Sequence, residues 1–130
     1  MKRYIHIKTD GSISVVEVAT PGNAEYRQLG ELVGGYIEQV RAFRNHRLVI
    51  NEEGHLKMLE PNPVGTIITG RAGSEWPIVG HAVLVGAILP DGEFDSVDPS
   101  IVKAASISVD TFLEELIMPD RAGNGGTDAN

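Results

Sequence analysis

Hydrophobic and polar positions change period several times along this chain, and each change marks an element. Residues 4–8 alternate as Tyr4, Ile5, His6, Ile7 and Lys8, and 13–19 form a second β-rich run. Between them lies Thr9-Asp10-Gly11-Ser12, and Asp-Gly between β-formers is a hairpin signal. Pro21-Gly22-Asn23 then breaks the strand, with Asn23 as a helix cap. Tyr26, Leu29, Leu32 and Val33 share a helical face, and Gly34-Gly35 stops it, which predicts a helix over 24–34. Tyr36–Phe43 and His46–Ile50 read as strands joined by an Arg44-Asn45 turn, and 55–59 as a short returning strand. Asn62-Pro63 is a cap and first-turn pair for a short helix over 63–69.

Ile78 to Leu89 is apolar on both alternating faces, the pattern of a central strand covered on both sides. Gly80 and Gly86 on that run imply the close approach of a packed helix. Asp98-Pro99 starts a helical turn. Ser108 precedes an i, i+3, i+4, i+7, i+8 stripe of Val109, Phe112, Leu113, Leu116 and Ile117, the clearest amphipathic helix in the chain, ended by Pro119. The expected fold is α+β: a mainly antiparallel sheet with an N-terminal hairpin, a helix after it, a short middle helix and a C-terminal amphipathic helix. Residues 1–118 are expected to form one domain, and 119–130 a flexible polar tail.

Composition narrows the function classes. At 130 residues the chain fits one domain with a core of its own. With no cysteine, disulfides, thiolate metal sites and cysteine nucleophiles are excluded. Eighteen acidic against eleven basic residues give a net charge of -7, which opposes direct nucleic-acid binding. No long apolar run follows Met1-Lys2-Arg3, and none is long enough to span a bilayer, so neither a signal peptide nor membrane association is expected. The expected location is the cytoplasm.

Candidate chemistry is sparse. The run from Asp91 to Asp98 opens like a calcium loop, but Ser96 and Val102 occupy the positions that need glycine and a bidentate glutamate. No metal and no cofactor is therefore expected. Gly70-Arg71-Ala72-Gly73-Ser74 is a loose anion-loop candidate. His6 and His46 read as ordinary strand residues, whereas His81, flanked by Val79, Val83 and Val85, is expected to be buried with a single local hydrogen bond.

The segments Leu29-Gly30-Glu31-Leu32-Val33-Gly34-Gly35-Tyr36-Ile37-Glu38, Asn51-Glu52-Glu53-Gly54-His55-Leu56-Lys57, Pro61-Asn62-Pro63, Ile78-Val79-Gly80 and Val85-Gly86 form a spaced set. In this set the chain resembles, over about residues 1–118, a domain family of unknown function common in actinobacterial phages, plasmids and related mobile elements. The resemblance implies a small α/β protein with an accessory role, and it lends no catalytic residues. His81 departs from the polar or acidic residue expected there, which weighs against a catalytic role for it.

Three functions fit these observations. The favoured one is a small non-enzymatic accessory binding protein of a phage or mobile element, engaging a host protein or a small signalling ligand, with a homo-oligomer as a further expectation from its sheet edges. Its candidate surface is Tyr36, Glu38, Asn51, Glu53, Lys57, Asn62 and His81. A hydrolase using Glu38, Glu53 and His81 would need these groups in one pocket. An acidic mimic of nucleic acid would need aligned carboxylates, for which the last helix offers Asp110, Glu114 and Glu115.

Overall fold

The structure is a computed structural model, and it describes residues 1–19 and 23–118, with Asn23 described in its backbone alone. The breaker at residues 20–22, the Asn23 cap, the stop at Pro119 and the polar tail lie outside the described residues.

The first hairpin forms as its pattern requires: β1 (Lys2–Ile7) and β2 (Ile13–Val18) pair antiparallel around a turn with Gly11 at φ +90°. Helix α1 (Asn23–Val33) follows and ends at Gly34, φ +86°. There the N–H groups of Gly34 and Gly35 both donate to the carbonyl of Gly30, closing the helix end with backbone alone. Strands β3 (Ile37–Arg41) and β4 (Arg47–Asn51) make a second antiparallel pair. The turn between them, a 3₁₀ turn at Phe43–Asn45, holds Arg44 and Asn45 at φ +59°. Helix α2 (Pro63–Ile68) leads to β5 (Ala82–Val85), then α3 (Pro99–Ala105) and α4 (Val109–Ile117) complete the chain order. Asp98 caps α3 through the Ser100 N–H, and Ser108 caps α4 through the Thr111 N–H.

The five strands lie in the order β2-β1-β5-β4-β3, antiparallel throughout, so the fold is α+β. β5 is the central strand, and all four of its residues are buried. The register sorts the two faces. Tyr4, His6, Val83, Val49 and Asn51 share the side on which α1 lies, because Tyr4 hydroxyl bonds Glu25, His6 Nε2 bonds the Leu32 carbonyl and Asn51 Nδ2 donates to the Val33 carbonyl. Ile5, Ile7, Ala82, Leu84 and Leu48 point the opposite way, into the core shared with Ile68, Ile101, Phe112 and Leu116 of α2, α3 and α4.

Two expectations are corrected. Residues 55–59 are not a strand: 52–58 coil into a compact turn, with the Lys57 N–H on the Glu53 carbonyl and the Met58 N–H on the His55 carbonyl. The alternation of Leu56 and Met58 there faces solvent, not a core. The two glycines near β5 do not receive a helix. A side chain at Gly86 would sit 2.3 Å from the Ser96 carbonyl oxygen, so it is the 95–96 backbone that crosses there, and Gly80 faces the Leu59 side chain.

A single buried amide joins these parts. Asn62 is fully buried; its Oδ1 accepts from the Gly65 N–H (2.9 Å), and its Nδ2 donates to the carbonyls of Ile7 (3.1 Å) and Gly80 (2.8 Å). Asn62→Ala would strand two buried carbonyls and uncap α2, a loss of about 3 kcal/mol or more. Asn62→Asp should be at least as damaging, since it sets a carboxylate against both carbonyls. Urea unfolding of both variants against the parent chain measures this; wild-type stability in either would refute the role given to the amide.

Candidate functional site

Two open clefts flank the 51–58 turn, which rises between them as a ridge. The first, about 500 Å³, is lined by Glu38 and Val40 of β3, Ile50 and Asn51 of β4, Glu52, Gly54 and His55 of the ridge, and Arg71, Ser74 and Trp76–Val79 opposite. The second, about 540 Å³, lies on the other side, between Tyr26, Arg27, Gly30 and Glu31 of α1, the Gly34–Ile37 segment, and Glu53 and Lys57. On the ridge, Leu56 and Met58 are 81% and 87% exposed, and on its flanks Tyr36 and Trp76 are 78% and 64% exposed. Burying a leucine or methionine is worth about 2 kcal/mol, so four large apolar side chains left in water at one end of a sheet are a feature that folding does not explain.

Geometry fixes this surface. Gly54 lets the ridge press on the sheet end: a side chain there would meet Val79 Cγ2 at 2.9 Å. Asn51 anchors its base, with Oδ1 accepting from the Glu53 N–H (2.8 Å) and Nδ2 held by the end of α1. Trp76 is held by the Ser74 hydroxyl, which accepts from its N–H (3.0 Å), and by Arg71, which donates to its carbonyl (3.2 Å). The His55 ring meets the Trp76 indole edge-to-face at 5.5 Å, and its Nε2 contacts the Pro77 carbonyl (2.9 Å). The carboxylates of Glu38 and Glu52 make no hydrogen bond or ion pair among the described residues.

The expected site residues divide accordingly. Tyr36, Glu53 and Lys57 line the second cleft, where Glu53 and Lys57 pair at 3.4 Å; Glu38 lines the first. Asn51 and Asn62 are buried amides with structural partners. His81 stands apart from both clefts. It is exposed, not buried, because Gly80 at φ +81° turns the chain just before β5; its Nδ1 accepts from the Thr9 N–H (3.2 Å), and its ring lies 5.9 Å from that of His6. Glu38, Glu53 and His81 thus line no common cavity. Three of the five N–H groups of the 70–74 loop are engaged by backbone: Gly70, Arg71 and Ser74 donate to the carbonyls of Ile67, Thr66 and Arg71. Sequence reasoning missed His55, Leu56, Met58 and Trp76 as surface features. The signal for Trp76 was present, a lone large aromatic in a polar glycine-containing loop.

The acidic segments are tied into the fold. Asp91 accepts from the Glu93 N–H and Asp95 from the Ser96 N–H, while Glu93 pairs with Lys2. Among the described residues no group of three or more histidines or carboxylates is arranged to hold a metal, and no helix is long and apolar enough to cross a membrane. Glu115 and Asp98 both pair with Arg44, at 3.2 and 3.3 Å. Beside them His46 is buried, its Nδ1 on the Arg44 carbonyl (2.8 Å) and its Nε2 accepting from the Asp98 N–H (3.3 Å), which requires the neutral ring.

Burial pushes the His6 and His46 imidazoles below the usual histidine range. Both rings are therefore neutral in the fold at a pH where the unfolded chain has begun to bind protons. Stability is full above the ordinary value of about 6.5 and falls as the pH drops below it. The Ser100 N–H holds Asp98 below the usual carboxylate range, which adds loss of the same sign at lower pH. The urea midpoint should hold level from pH 8 to 7 and decline toward pH 5. In a His6→Gln/His46→Asn variant, less stable at pH 8, the decline should be shallower; an unchanged slope would contradict the assignment.

A family described as Domain of unknown function (DUF3846) matches residues 1–110, and the chain belongs to it. No curated protein and no solved structure matches the chain significantly.

Proposed function

We propose that this chain is a non-enzymatic binding protein that docks another protein onto the ridge end of its sheet. One observation carries the reading: Leu56 and Met58 stand almost fully exposed on a hydrogen-bonded turn, flanked by exposed Tyr36 and Trp76. Exposed apolar side chains of this size at one end of the sheet, with Glu38, Glu52, Glu53 and Lys57 beside them, are what a partner's surface covers. Methionine and the aromatics suit the role, since they supply large contact area and adapt to the opposing shape. Catalysis finds less support, because the carboxylates and the imidazole nominated for it lie apart. In the mobile-element setting that the sequence resemblance implies, the partner would be a host protein and the role accessory.

The double variant Leu56→Asp/Met58→Asp tests this. Both residues are exposed, so its melting temperature should stay within a few degrees of the parent's. Tagged parent and variant are used in parallel to capture partners from lysate. A protein retained by the parent and lost by the equally stable variant is the expected result. Identical capture by both would refute the ridge as the docking surface.

A further inference from the structure

The ridge end also holds an unpaired sheet edge. β3 is the last strand of the sheet, and its pairing pattern follows from two bonds. The Glu52 N–H donates to the Tyr36 carbonyl, and the Ala42 N–H donates to the His46 carbonyl, each at 2.9 Å. Residues 36, 38, 40 and 42 therefore direct their backbone groups at β4, and the alternate residues Ile37, Gln39 and Arg41 direct theirs outward. Those outward N–H and C=O groups have no backbone partner among the described residues. Five residues without proline or bulge form a usable template for one more strand.

We propose that β3 takes up an extended peptide segment of its partner by strand addition, with a Lys or Arg opposite Glu38 and an apolar residue opposite Val40. The proposal rests on the protein-binding reading and names its chemistry. Paired residues on neighbouring antiparallel strands point to the same face. Residues facing Glu38 and Val40 would thus enter the first cleft, since those two side chains line it. A cation there enters a cleft lined by Glu38 and Glu52, whose carboxylates are unpaired among the described residues, while the Arg71 guanidinium on the facing wall is held by the Trp76 carbonyl. An apolar side chain two residues along meets Val40 and Ile50 on the cleft floor.

Charge also decides against a second copy of the chain. A two-fold pairing of β3 with itself that bonds at least two of its outward residues admits centres at Glu38, Gln39 or Val40. These place Glu38 opposite Glu38, Val40 or Ala42 respectively, so none of these registers gives that carboxylate a cation.

Trp76, the sole tryptophan, reports directly on occupancy. The full chain is titrated with capped hexapeptides of threonine carrying Lys and Val two residues apart, in both orders, with Glu-for-Lys analogues, and with Lys peptides N-methylated at alternate residues. The Lys peptide should shift Trp76 emission and slow hydrogen exchange at the amides of Ile37, Gln39 and Arg41, while the acidic and N-methylated peptides do neither. Glu38→Gln should weaken the Lys peptide by about threefold, as loss of a cross-strand charge pair does. Lack of exchange protection with every peptide, or equal response to acidic and basic ones, would overturn strand addition. So would protection of those amides that grows with protein concentration alone, which would assign the edge to a second copy. The capture experiment on the ridge is independent of these readouts. Ridge-dependent capture without amide protection would remove strand addition and leave the binding function, whereas loss of both would remove both.

Discussion

The fold depends on one buried side chain satisfying three backbone segments at once. β5 must enter the middle of the sheet between β1 and β4, although the chain reaches it last of the five strands. Its entry is fixed where Asn62 binds the end of β1 at Ile7, the approach to β5 at Gly80 and the first turn of α2. No apolar residue can replace this, because each carbonyl is out of water and an unmet one costs about 1–3 kcal/mol. Once that junction is made, Ala82–Val85 lies buried on both faces, and α1 on one side and α2, α3 and α4 on the other have an apolar surface to cover.

What the sequence revealed follows from how local each cause is. The Asp10-Gly11 hairpin, the Gly34 stop and the caps at Asn62, Asp98 and Ser108 are set by neighbours a few residues away, and each forms where its pattern places it. Strand β5 was legible as central because both of its faces are apolar. Its length was not, since Gly80 and the 95–96 crossing at Gly86 cut a twelve-residue apolar run down to four. Only the tertiary fold reveals those contacts. The same limit hid the second half of Asn62's role: its cap is local, whereas its bonds to Ile7 and Gly80 are not.

The candidate site was harder to read for a related reason. His55-Leu56-Lys57-Met58-Leu59 alternates as a half-buried strand would, and periodicity does not say whether the apolar side meets a core or water. The 52–58 turn resolves this by backbone bonds, and Leu56 and Met58 emerge outward. Glu38, Glu53 and Lys57 belong to the expected surface, and all three line the clefts beside the ridge. Asn51 and Asn62 stand in the expected surface, Asn62 also as a helix cap, yet their amides are consumed inside the fold. His81 looked interior because its neighbours are valines; a positive φ at Gly80 sends it outside.

The stiffness of the ridge argues for docking over an accidental apolar exposure. Met58 sits at φ +56°, a conformation that costs a non-glycine residue about 1 kcal/mol. The turn keeps it through the bonds of Lys57, Met58 and Leu59 to the carbonyls of Glu53, His55 and Gly54, and through Gly54 pressed against Val79. A loop left exposed by chance has no need of such bracing. Bracing of this kind would lower the ordering cost of the proposed association at Leu56 and Met58. The adjoining edge of β3 has the same property, since a strand already held by β4 presents its outward groups at fixed spacing. On the protein-binding proposal, ridge and edge would act as one surface, with exposed Leu56 and Met58 beside the charged residues Glu38, Glu52, Glu53 and Lys57.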